Sequence, residues 1–309
     1  MEIALRSRRE LPTRRSSRSP TLWADPGARG NCACRSPSRF RLLGVTLGLM
    51  AQSCMHANRL EWRGIFRQFP RAGIAAVVVL GVCFAFMRAF GVLGPQYLRP
   101  LLPLSFVLMA ATPWLFLDRG GRRQIGIVYA NSRLTYAWAT VTGALLAVAC
   151  GVIGSRLFGA TQDNWFVSIA LNFQRSFDTT GNSTLLLFVL FTTPALIFSP
   201  LGEEIFFRGM LQRSLEEALP KDISTYLECG AFAVVHLCHH GLRWSGNKPS
   251  LLLPSALLWM ALMFFAARLF AHWRTIAASI FPAVVSHIAF NATMCIYIFI
   301  FVWGRLDEA

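Results

Sequence analysis

Charge is scarce in this chain. Asp, Glu, Lys and Arg together make up 15% of 309 residues, while hydrophobic residues make up 54%. Soluble domains carry roughly 25% charged residues, so the shortage excludes an ordinary soluble domain. Lysine is almost missing, at 2 residues against 28 Arg, a bias that suggests a GC-rich genome and points to a bacterial source. The eight cysteines form no CxxC pair, so there is neither a disulfide framework nor a thiolate metal site. No HExxH occurs, which removes the usual helical zinc-protease signature. Nothing reads as GxSx with a paired His. No internal repeat of the kind that marks many transporters is present.

The net charge of +15 does not indicate nucleic-acid binding. Fourteen Arg and four acids fall in the first 71 positions, which alone supply +10 of it. Aromatics are not interleaved with those Arg residues as a nucleic-acid surface requires.

What is present is a series of apolar runs approaching 20 residues, the length that crosses a bilayer as a helix. The expected spans are 72–95, 100–117, 136–158, 183–201, 226–240, 251–271 and 275–303. Phe40–Ser53, about 14 residues, is a signal-like, interfacial or short membrane helix. The expected fold class is therefore all-α: a polytopic membrane helical bundle of seven to eight transmembrane helices with a polar intramembrane cavity, in a bacterial inner membrane. Residues 1–55 read as an Arg-rich disordered segment, a transit peptide or an overextended gene start with Met50 or Met55 as the true start. In residues 56–71, Arg59, Arg63 and Arg67 fall at i, i+4 and i+8, which predicts a basic amphipathic helix on an anionic membrane surface. Residues 72–309 form the transmembrane domain, with its core at 183–303. The basic loop 118–133 is expected on the cytoplasmic side and 96–99 and 159–182 outside, with 202–225 cytoplasmic again. Pro282 is expected to kink the last span.

Three places put ionisable or amide side chains into apolar surroundings, where such groups are costly and usually paired or functional. The first is Glu203, Glu204 and Arg208, directly after the apolar run Leu185–Ser199. Glu204 and Arg208 stand at i, i+4 and share a helix face. Glu203 has no such partner, so it is the carboxylate left to take a proton. The second is His236 in Phe232–Ala–Val–Val–His236; the third is His287 and Asn291, again i, i+4. A carboxylate beside a His can activate water, and a His with an Asn can donate hydrogen bonds to an oxyanion. Each group also has a plain explanation. A lone His is usually a packed residue, an Asn is often interhelical glue, and a Glu–Glu pair often complements a helix dipole. Glu216–Glu217, in a polar stretch, reads as a solvated face, and His239 and His240 read as interfacial.

The ordered set EExxxR, FxxxH and HxxxN, within GEEIFFRG and SIFPAVVSHIAFN, resembles the CPBP intramembrane proteases, the type II CAAX prenyl endopeptidase or Abi group. The resemblance covers about 183–303. It implies endoproteolysis with no covalent intermediate, cofactor or metal. By position, Glu203 would activate water, Glu204 and Arg208 would orient it, His236 would share the activation, and His287 and Asn291 would stabilise the oxyanion. The partners implied are the lipid bilayer and a membrane-associated protein or peptide substrate, including prenylated CAAX-type C-termini, and no nucleic acid. Two alternatives stay open. One is a metal-dependent protease with Glu203, His236 and His287 as zinc ligands; the other is a non-catalytic membrane immunity or scaffold protein.

Overall fold

The computed structural model describes residues 59–175, 179, 181–245 and 248–308. The expectations for residues 1–55, including Phe40–Ser53, lie outside them. The main helices are α1 Pro70–Leu93, α2 Leu101–Phe116, α3 Arg119–Gln124, α4 Arg133–Phe158, α5 Trp165–Gln174, α6 Thr184–Glu203, α7 Lys221–Val235, α8 Leu253–Ala277 and α9 Phe281–Tyr297. The only strands among the described residues are Leu242–Ser245 and Lys248–Leu251, paired antiparallel with Leu242 opposite Leu251. The all-α membrane bundle expected from the apolar runs is what the chain forms.

Among the described residues, six helical segments are long and apolar enough to cross a membrane: Pro70–Leu93, Gln96–Phe116, Arg133–Phe158, Thr184–Leu215, Leu253–Ala277 and Phe281–Leu306. They match six of the seven expected spans, so the count of seven to eight is approximate. The remaining stretch, 226–240, falls on α7, which has 15 residues. At 1.5 Å per residue it reaches only about 22 Å, short of a hydrocarbon core of about 30 Å. It lies instead against α8 and ends where His236 begins a 3₁₀ turn.

Three local expectations change. The amphipathic helix over 56–71 is helical in its described part only at Ile65–Gln68 and from Pro70 onward. Leu60 and Trp62 are buried, and Trp62 pairs with Leu117 in an isolated bridge. Burying those side chains against the bundle outweighs the basic stripe. Pro282 does not kink a span. The chain breaks at Ala278, in the left-handed region at φ 49°, and Pro282 occupies the first turn of α9, where its missing N–H costs nothing. Glu216 and Glu217 are not a solvated face either. Glu217 Oε1 lies 2.8 Å from Arg213 Nη1 and accepts from the Leu60 amide at 2.9 Å, so Glu217 ties the N-terminal strap to the bundle.

The tightest helix contact is α4 on α9. Along α4, Ala139, Gly143, Ala147 and Gly151 recur every four residues and are buried. Small residues at that spacing let membrane helices approach closely. A β-carbon at Gly143 would overlap the Ser286 carbonyl oxygen, so no side chain fits without moving the backbone of α9. Gly143→Val is expected to destabilise the bundle by about 1–3 kcal/mol through overpacking, seen as a lower melting temperature in detergent. An unchanged melting temperature would show that the contact is not tight.

Candidate functional site

The site begins in α6. Pro194 and Pro200 lie inside this helix, and each removes an amide from the i→i−4 ladder. Past Glu203 the backbone widens into a π-helix over Glu204–Leu211, and every residue of it is buried. Such widened turns gather at functional sites because they redirect side chains. Gly202 brings this turn against α2, since a β-carbon there would overlap the Phe106 carbonyl. The adjacent carboxylates consequently meet different partners.

Glu203 is fully buried. Its Oε1 lies 2.9 Å from Arg88 Nη1 of α1 and accepts a hydrogen bond from Ser199 Oγ at 2.9 Å. Its Oε2 has no hydrogen-bond partner and lies 3.8 Å from His236 Nε2. The expectation that Glu203 lacks a charged partner is therefore corrected, because Arg88 supplies one from a helix distant in sequence. His236 Nδ1 donates to the Phe232 carbonyl at 2.7 Å. A carbonyl can only accept, so in the neutral ring Nε2 carries the lone pair, on the side of Glu203.

Glu204 is held at both oxygens. Oε2 lies 3.1 Å from Arg208 Nε, and Oε1 accepts from His287 Nδ1 at 2.8 Å. Arg208 reaches on to Glu228 Oε1 at 3.5 Å, and its guanidinium lies 4.0 Å above the centre of the Phe232 ring. Asn291 Nδ2 donates to the Ala195 carbonyl of α6 at 2.8 Å. The structure thus brings all six expected residues together.

Residues 184–293 match the family model described as type II CAAX prenyl endopeptidase Rce1-like. This match supports the CAAX-type intramembrane protease domain that the ordered motifs led one to expect, and all six expected residues fall within the matched segment. No curated protein and no solved structure matches the chain.

Residues of the matched segment, together with α1, α2, α5 and the turn before α2, wall a cavity of about 530 Å³ that is mostly apolar, with Arg88, Arg99, Asn172, Ser199, His236, His239, His287 and Asn291 as its polar lining. Glu203, Glu204 and Arg208 lie behind that wall, each at 0% exposure. Among the described residues, no group of three or more His, Cys, Asp and Glu is placed to hold a metal ion.

Sequence reasoning missed three members of this network. Arg88 is the one charged residue in the run 72–95, which could have marked it. Glu228, buried and bonded to Arg208, stands one turn before Phe232 on α7. His239 lines the cavity 3.1 Å from Arg88. His240 is not interfacial: it is buried and its Nδ1 donates to Ser168 Oγ at 3.0 Å.

Proposed function

We propose that the domain is a glutamic intramembrane endopeptidase that cleaves membrane-associated proteins or peptides with an activated water. The observation that carries this reading is the pair of acceptors Glu203 Oε2 and His236 Nε2, 3.8 Å apart. Two acceptors at that distance can each take one hydrogen of the same water, which leaves the water's oxygen lone pairs for a substrate carbonyl. Glu203 takes the proton as that oxygen attacks, a general-base role. His236 orients the water and shares its proton. Glu204, fixed by Arg208, holds the His287 ring through Nδ1; with both ring nitrogens protonated against that carboxylate, Nε2–H is the donor left for the substrate. His287 and Asn291 face the carbonyl oxygen as its charge develops. The apolar cavity suits an extended segment drawn from lipid, including a prenylated C-terminus. Arg88, 2.9 Å from Glu203, puts a fixed cation beside the carboxylate, an arrangement that disfavours a dication there. The Arg-over-Lys bias supports a bacterial source, for which a multi-pass bundle of this kind would sit in the inner membrane.

The test is cleavage of a membrane peptide by protein reconstituted in liposomes, with and without chelator. His236→Ala is expected to lower turnover by about 10²–10⁴-fold, the usual contribution of a general acid–base group, with the fold retained and chelator without effect. Full activity in a folded His236→Ala protein would sink the reading. Loss in chelator restored by zinc would favour the metal alternative.

A further inference from the structure

Arg88 is gripped at both ends of its guanidinium. Nη1 meets Glu203 Oε1 at 2.9 Å, and Nη2 lies 3.1 Å from His239 Nε2. A guanidinium only donates, so His239 Nε2 accepts and the ring keeps its proton on Nδ1. His239 is itself anchored. Its amide donates to the His236 carbonyl at 3.1 Å, and its own carbonyl accepts from Asn172 Nδ2 at 3.2 Å. The Phe106 ring lies 5.1 Å from the guanidinium carbon. The guanidinium therefore has a fixed plane as well as a fixed charge.

That plane bears on Glu203. The last torsion of a Glu side chain, between sp³ and sp² carbons, is broad, so a carboxylate held by one hydrogen bond rocks and exchanges its oxygens. Arg88 and Ser199 both engage Oε1, which turns Oε2 toward His236. We infer that His239 and Arg88 are positioning residues: His239 holds the guanidinium, and the guanidinium fixes which oxygen of Glu203 is presented to His236. This rests on the glutamic reading above for its effect on turnover, but the orientation of the carboxylate is measurable without it. The sequence places His239 three residues after His236, on the same side of the turn, so one short segment supplies both the partner of Oε2 and the anchor of its counter-cation.

The experiment compares His239→Leu, which removes the acceptor, with His239→Gln, whose carbonyl restores one. Turnover, KM and melting temperature are read on the full-length protein in liposomes or detergent. The carboxylate band of Glu203 is isolated by subtracting the infrared spectrum of Glu203→Gln. In His239→Leu, kcat is expected to fall about tenfold with KM nearly unchanged, the signature of a lost orientation rather than lost binding. Its melting temperature stays near wild type and the Glu203 band moves. His239→Gln returns both kcat and the band toward wild type. Wild-type turnover or an unmoved band in His239→Leu overturns the inference, as does a His239→Gln protein no better than His239→Leu. If the band moves and returns as stated but Glu203→Gln cleaves as fast as wild type, the glutamic reading fails and the clamp stands.

Discussion

Glu203→Gln is expected to lower turnover by about 10³-fold or more, within the 10²–10⁴ range of a general base. Gln keeps the shape of the side chain, and its carbonyl can still accept from Ser199 and Arg88 in place of Oε1. Its amide nitrogen then falls where Oε2 stands, 3.8 Å from His236 Nε2. An acceptor has become a donor, so the water loses both its base and its seat. Some stability is lost as well, because Arg88 is 1% exposed and no longer faces a full negative charge. Glu203→Asp separates the two effects. It keeps the counter-charge but withdraws the carboxylate by one methylene, and a shift of about 1 Å can cost about 10²-fold in rate. The measurement is kcat per folded protein, with helix content and melting temperature recorded for each variant. A folded Glu203→Gln protein with wild-type turnover would remove Glu203 from the chemistry and leave its ion pair with Arg88 as structure only.

The parts of this arrangement that sequence could show are those with a local period. Apolar runs near 20 residues marked the spans, and i, i+4 spacing marked Glu204 with Arg208 and His287 with Asn291. What stayed hidden depends on distant segments. Arg88 finds Glu203 more than a hundred positions along the chain, and its lone charge in an apolar run carried no motif. Glu204 and His287 meet between the π-helix and α9, so the role of Glu204 seemed settled by Arg208 alone. The π-helix at Glu204–Leu211 has no composition of its own. It follows from the packing of Gly202 on α2 and from the prolines before it. Trp62 and Leu60 show the reverse failure: a clear basic period at Arg59, Arg63 and Arg67 was overruled by two buried side chains between them. Likewise Glu216–Glu217 looked like surface because one partner of Glu217, the Leu60 amide, comes from the distant strap.

The other large effect expected is on folding, at Arg208. This guanidinium stands between Glu204 and Glu228, with all three side chains at 0% exposure. Removing one member of a buried ion pair strands the charge left behind, at about 3–5 kcal/mol, a large part of the 5–15 kcal/mol that holds a typical domain together. Arg208→Met is therefore expected to melt far below wild type or to fail to accumulate in the membrane. Arg208→Lys rescues little, since a single ammonium cannot reach both carboxylates and forfeits the flat contact with the Phe232 ring at 4.0 Å. Adding Glu228→Gln to Arg208→Met removes one of the two stranded charges, so the double variant is expected to be more stable than the single one. That non-additivity is the sign that the three groups form one network. An Arg208→Met protein that melts with wild type would mean that Glu204 and Glu228 need no cation between them. If the double variant regains its fold and not its turnover, Arg208 serves the site beyond stability: with it gone, Glu204 keeps only His287, so the carboxylate bonded to the proposed oxyanion residue is itself held from one side.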